Sequence, residues 1–94
     1  MSKNTKELSS DNWDAEVQQA GLPVLVDFWA PWCAPCRALA PVVEQVASEM
    51  TGRVVVGTLN IDDHADIAVR CQIRSIPTLL LFQDGRVVGT CQQA

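Results

Sequence analysis

Two cysteines stand three positions apart, Cys33 and Cys36, in the stretch VDFWAPWCAPCRALAP. Such a pair can staple a fold, hold a metal, or exchange electrons with another disulfide. Residues downstream carry an apolar helical repeat, so a helix beginning at Cys33 would put Cys36 one turn later on the same face. Their Cβ atoms would then lie roughly 5–6 Å apart, close enough to bridge after a small adjustment. Pro35 is tolerated there because the first turn of a helix has unpaired N–H groups in any case. Those same groups and the helix dipole favour negative charge on the N-terminal cysteine. Since the thiolate is the nucleophile in disulfide exchange, Cys33 is the sulfur that this position activates. Cys36, inside the helix between Pro35 and Arg37, is expected to be the sheltered partner and Cys33 the exposed one.

Asp27 adds to this reading. It interrupts VLVDFW, a run that should be dry, and a buried acid without a partner has a pKa raised toward neutrality. The plainer alternative is an Asp capping a strand end, but Val26 and Phe28 on either side argue against an end position. A perturbed acid six residues before Cys33 is a candidate for proton transfer.

The elements that must position these groups follow from punctuation and periodicity. KELSS reads as a short strand and SDNWDAEVQQAG as a first helix, capped by Ser10 or Asp11, with Trp13, Val17 and Ala20 on one face and Gly21 as its stop. VLVDFW is a continuous apolar strand, as expected when both faces are covered. Leu39, Val42, Val43, Val46, Ala47 and Met50 recur at three- and four-residue steps, the face of a second helix that ends before Gly52. VVVGTLNI is a further strand, Asp63 to Cys71 a short third helix, and TLLLFQ-DG-RVVGT a hairpin marked by Asp84-Gly85. The order β-α-β-α-β-α-β-β implies an α/β layered domain with parallel strands at the centre and an antiparallel hairpin at one edge.

Composition narrows the chemistry. A chain of 94 residues suits one domain, residues 1–94, with a modest core. A net charge of −4 with seven scattered Lys and Arg offers no basic groove, so nucleic acid is not an expected partner. The N-terminal MSKNTKELSS has no apolar signal-peptide core, and no apolar run reaches the roughly 18–20 residues of a membrane span. The chain is therefore expected in the cytoplasm and away from the membrane. Stable structural disulfides are rare there, and a Cys-x-x-Cys pair is more often catalytic or metal-binding. Zinc needs four ligands, usually as two pairs, whereas Cys71, Cys91 and His64 are isolated. No metal is expected. Cys71 reads as a small core residue and Cys91 as an exposed edge-strand thiol.

The run FWAPWCAPCRALAPVVEQVA, with VDFWA before it and IRSIPTLLLFQDGRVV after it, resembles the thioredoxin family. The likeness extends from about Asn12 to Val88. It implies the thioredoxin fold, a central mixed five-stranded sheet with flanking helices. It also implies a dithiol–disulfide oxidoreductase that reduces protein disulfides and is recharged by thioredoxin reductase with NADPH. No cofactor would be bound beyond the redox-active Cys33–Cys36 disulfide. Carried onto this chain, Cys33 matches the attacking thiol, Cys36 the resolving thiol, and Asp27 the buried acid that exchanges a proton with Cys36. Trp32, Ala34, Pro35, Ile76 and Pro77 match the substrate-contacting surface, Pro77 as a cis-proline. Trp29 matches the aromatic beneath the pair, and Pro41 the proline within the active-site helix.

Five departures qualify the likeness. Ala34 replaces a glycine between the cysteines. Thr58 stands where a lysine often faces the buried acid, so Asp27 should have a higher pKa. Ser75 replaces a glycine ahead of Ile76, and Gln93 replaces one that lines the substrate groove. The chain also stops at Ala94, short of the family's final helix. One helix about 10–12 Å wide cannot cover five strands spaced roughly 4.8 Å apart, so part of one sheet face should be bare and available for self-association. The alternative to a redox carrier is a binding module that keeps the fold for protein contacts with weakened turnover.

Overall fold

Strand β2 (Val24–Trp29) is the centre from which the fold grows. Its alternation sends Val24, Val26 and Phe28 to one face and Leu25, Asp27 and Trp29 to the other. The computed structural model describes residues 4–92. Five strands form one sheet in the order β1-β3-β2-β4-β5, with β1 at Lys6–Leu8, β3 at Val55–Asn60, β4 at Thr78–Gln83 and β5 at Arg86–Gln92. β1 and β2 both run parallel to β3, while β4 runs antiparallel to β2 and β5 antiparallel to β4. This is the mixed five-stranded α/β sheet that the sequence implies. The hairpin turn puts Asp84 and Gly85 at φ of 55° and 77°, the mirror-image turn that an Asp-Gly pair favours.

Helix α1 (Ala34–Glu49) covers one face, and a short α2 (Ala65–Arg70) lies on the other with the segment around Trp13. The α2 side holds the main core. Trp13, Val17 and Ile67 meet Val24, Val26, Phe28, Leu80 and Phe82 there, with the Trp13 ring edge-on to Phe82 at 5.4 Å. On the α1 side Val43 and Ala47 pack on Val56, with Leu25, Leu39, Val46 and Leu79 partly buried around them. Val42, read as part of the buried helix stripe, is exposed. Leu79 and Leu81, on the stretch expected to be bare, are half-buried rather than fully wet.

The first helix differs from expectation. Only Asp14–Gln18 is helical, as one π-type turn, and neither Ser10 nor Asp11 caps it. Ser9 and Asn12 bond to each other's backbone instead: the Ser9 N–H donates to Asn12 Oδ1 at 2.7 Å and the Asn12 N–H to Ser9 Oγ at 3.2 Å. Asn and Ser side chains compete with helical backbone bonds in this way. Gln93 lies outside the described residues.

Candidate active site

The chain leaves β2 at Trp29, crosses Ala30-Pro31-Trp32, and enters α1 directly after Cys33. Cys33 is the N-cap, with extended φ and ψ of −91° and 104°. Its Sγ accepts a hydrogen bond from the Cys36 N–H at 3.2 Å. Ser or Asp side chains usually fill this role, and here a sulfur accepts one of the orphan first-turn amides. The same amide and the helix dipole would stabilise a thiolate at Cys33. Cys33 and Cys36 are joined in a disulfide with their Cα atoms 5.2 Å apart.

Neither sulfur-bearing side chain is open to solvent. Cys33 is 5% exposed and Cys36 3%, so the exposed Cys33 expected from the sequence is not found in the disulfide state. Ala30 lies with the pair in one buried cluster, and Trp29, Ile61 and Ile76 pack against it. Ile61 and Ile76 come from segments remote in sequence, which local reading could not anticipate. The Ile76–Pro77 peptide is cis, and Pro77 is buried. Ala34 and Pro35 stand exposed at the head of the helix, and Trp32 is 65% exposed beside them.

Two side chains hold the loop that carries Trp32. The Trp32 indole N–H donates to both Asp62 carboxylate oxygens, at 3.2 and 3.0 Å. Arg37 Nη1 donates to the Pro31 carbonyl at 2.7 Å. Nothing local in the sequence signals the Asp62 contact, which joins positions 30 residues apart. Inside α1, Pro41 has no N–H to give the Arg37 carbonyl one turn back.

Asp27 sits in the middle of the sheet, opposite Thr58 on β3 and Leu79 on β4. It is 4% exposed, and its Oδ1 has no hydrogen-bond partner. Burial pushes its pKa up to about 6, because the charged form loses water without gaining a counter-charge. Thr58, its partner on β3, brings no counter-charge. Asp27, Cys36, Trp29 and Thr58 line one cavity of about 410 Å³ between α1 and the sheet. The acid thus shares a compartment with the sheltered sulfur of the pair.

Other candidates stay apart. Cys71 is half-buried against the α2-side core, with its thiol pKa raised by burial against an opposing pull from Arg70. Cys91 is exposed on β5. His64 precedes α2 and accepts from the Ser10 N–H at 3.3 Å. Among the described residues no three His, Cys, Asp or Glu gather as a metal site would require, and no helix is long and apolar enough to cross a membrane.

A strand-to-helix cysteine pair, a buried acid behind it and a cis-proline segment beside it form one site. The thioredoxin family model matches residues 4–94. The chain belongs to the thioredoxin family. Among its relatives, it is 47% identical over 89 residues to thioredoxin C-2 of Corynebacterium nephridii, covering 95% of this chain and 82% of that one. It is 51% identical over 75 residues to thioredoxin 1 of Synechococcus elongatus, covering 80% and 70%. With the chloroplastic M-type thioredoxin of Spinacia oleracea it shares 43% identity over 83 residues, 88% of this chain and 46% of that one. Thioredoxins are dithiol–disulfide oxidoreductases, and the Cys33–Cys36 pair of this one is at disulfide distance.

Proposed function

We propose that this thioredoxin reduces protein disulfides with Cys33 as nucleophile and Cys36 as resolving thiol. The Cys33 thiolate attacks one sulfur of a substrate disulfide. That S–S bond breaks, one substrate thiolate leaves, and a mixed disulfide forms. Asp27 takes the Cys36 proton through their shared cavity, and the Cys36 thiolate then attacks Cys33 Sγ. The second substrate thiolate leaves, two electrons have passed to the substrate, and the chain is left as the Cys33–Cys36 disulfide. Thioredoxin reductase, drawing on NADPH, returns it to the dithiol. The observation carrying this assignment is the Cys36 N–H on Cys33 Sγ at the start of α1, which singles out Cys33 as the charge-stabilised sulfur.

Trp32, Ala34, Pro35, Ile76 and Pro77 form the substrate-facing surface in this reading. Support comes from the exposure of the first three and from Ile76 packing against the cysteine cluster. A reducing compartment, the cytoplasm, fits Cys71 and Cys91, which are unpaired. Residues 1–94 act as one domain, supported by the single sheet that carries both helical layers. Self-association through the α1-side sheet face is supported by the incomplete burial of Leu79 and Leu81. Sedimentation giving a compact monomer at every concentration would remove that last proposal.

Insulin-disulfide reduction with dithiothreitol as donor tests the assignment. Wild-type chain should accelerate it, Cys33→Ser should fall to background, and Cys36→Ser should accumulate mixed disulfide. Activity surviving in folded Cys33→Ser would overturn the role of Cys33.

A further inference from the structure

The cavity behind the cysteines has a second property. Its deepest polar group is the Asp27 carboxyl, nine-tenths buried and with Oδ1 unpartnered. A buried carboxylate without a partner is costly, and the usual remedies are a hydrogen-bond donor or a cation. No cation stands on the neighbouring strands, where Thr58 and Leu79 pair with Asp27, and the Thr58 hydroxyl leaves Oδ1 unbonded. From α1 the charged groups lining the same space are Glu44 and Arg37. Arg37 is engaged with the Pro31 carbonyl, while Glu44 accepts from Thr5 Oγ1 at 3.4 Å. Two carboxylates therefore line the space against one guanidinium already bonded elsewhere. The rest of the wall is mostly apolar, with Trp29, Ala40 and Val43 contributing.

We propose that this cavity binds a primary alkylammonium compound, its ammonium on the Asp27 carboxylate and its hydrocarbon body along Trp29, Ala40 and Val43. The chemistry follows from shape and charge. An ammonium is a compact cation with three donors, suited to one recessed carboxylate, whereas a planar guanidinium needs a wider approach. A metal ion would need more oxygen ligands than Asp27 and Glu44 provide. An anion would meet two carboxylates. At about 410 Å³ the space takes a ligand of a few carbons with room to spare. With its pKa at about 6, Asp27 is mostly ionised above neutral pH and available to such a cation. The site shares Asp27 and its cavity with the proton transfer proposed for Cys36, but binding is read without turnover, so the two readings can fail separately.

The test is a titration of the folded chain with n-butylammonium chloride at about pH 7.5, followed by amide chemical shifts, beside 1-butanol as the neutral probe of equal length. Saturable shifts at Asp27, Cys36, Ala40 and Thr58 are expected, with a Kd in the millimolar range for so small a ligand. The ammonium should bind at least about tenfold more tightly than the alcohol, because only it meets the carboxylate as a charge. Asp27→Asn, which removes a buried charge and keeps the shape, should reduce the ammonium to the affinity of the alcohol. Thr58→Lys, placing an ammonium directly across from Asp27, should abolish binding of the added one. Equal affinity for the two probes, unchanged binding in Asp27→Asn, or shifts confined to other surfaces would each overturn the proposal. So would the absence of saturation.

Discussion

Val24, Val26 and Phe28 leave β2 toward the α2 side of the sheet, and Leu25, Asp27 and Trp29 leave the same strand toward the α1 side. The first set is sealed in a core with Trp13, Leu59 and Phe82, and even the Trp13 indole N–H is buried there without a partner. The second set borders a cavity, a cysteine pair and an unpartnered carboxyl. One face gathers most of the large buried apolar side chains. The other keeps space and an unsatisfied acid where the redox site lies. Six consecutive residues thus divide into a stabilising half and a reactive half, and the period of two in a strand makes the division possible.

Substitutions in the two halves should change stability with opposite signs. Phe28→Ala should cost about 3–5 kcal/mol, the usual range for emptying a large aromatic site in a packed core. Urea denaturation would read it, and a loss under about 1 kcal/mol would mean that the α2-side core is looser than its burial indicates.

Asp27→Asn should act in the opposite direction at high pH. Its folded pKa of about 6 lies above the ordinary carboxylate value of 3.8, so the native state holds the proton more tightly than the unfolded chain does. Stability from this group is therefore complete below about pH 4, falls as pH rises toward 6, and stays at its lower level beyond. About two pKa units correspond to roughly 3 kcal/mol. The Asn variant should gain about 2–3 kcal/mol at pH 8 and almost nothing at pH 4. It should also release substrate more slowly from the mixed disulfide. A gain that is equal at both pH values would show that Asp27 is not the titrating group.

Much of this division was readable from the residues alone, because the rules concerned are local. A cysteine at a strand-to-helix junction acquires first-turn amides, and an acid flanked by Val26 and Phe28 is buried whichever strand pairs with it. Asp84-Gly85 selects its turn by φ alone. What escaped the sequence depends on distant partners. Ser10 or Asp11 reads as the cap of the first helix, but neither caps it, and the Ser10 hydroxyl donates to Asp66 at 2.6 Å, 56 residues away. Cys33 was expected in solvent, and its cover includes Ile61 and Ile76 from two later segments. Asp62 carried no signal of its own until the fold brought it to the Trp32 indole. The role of Pro77 came from family resemblance, since nothing in an X-Pro pair names its isomer.

Adjacent residues on β3 carry the same contrast between faces at smaller amplitude. Gly57 pairs with Val26 and shares the core-side face of the sheet, and a Cβ there would lie 2.5 Å from Leu8 Cδ1 and 3.3 Å from the Lys6 carbonyl oxygen. Leu8 is itself fully enclosed and cannot swing away without disturbing Trp13 and its neighbours. Gly57→Ala should therefore cost about 1–3 kcal/mol through overpacking.

Thr58, the next residue, pairs with Asp27 and faces the cavity. Thr58→Leu enlarges a side chain by a similar step in chemistry but meets open space instead of a packed leucine. Its added methyl groups bury apolar surface along Trp29 and Val43, and the hydroxyl it loses makes no side-chain hydrogen bond among the described residues. The change should stay within about 1 kcal/mol and lean toward stabilisation. It should also weaken n-butylammonium binding by occupying the volume the ligand needs. Parallel urea curves for the two variants read the difference directly, since position, strand and direction of size change are matched and only the face differs. Equal losses at 57 and 58 would mean that the α1 side packs as tightly as the α2 side. The space behind Cys36 would then close in solution, and the proton path proposed between Cys36 and Asp27 would have to run through protein atoms alone.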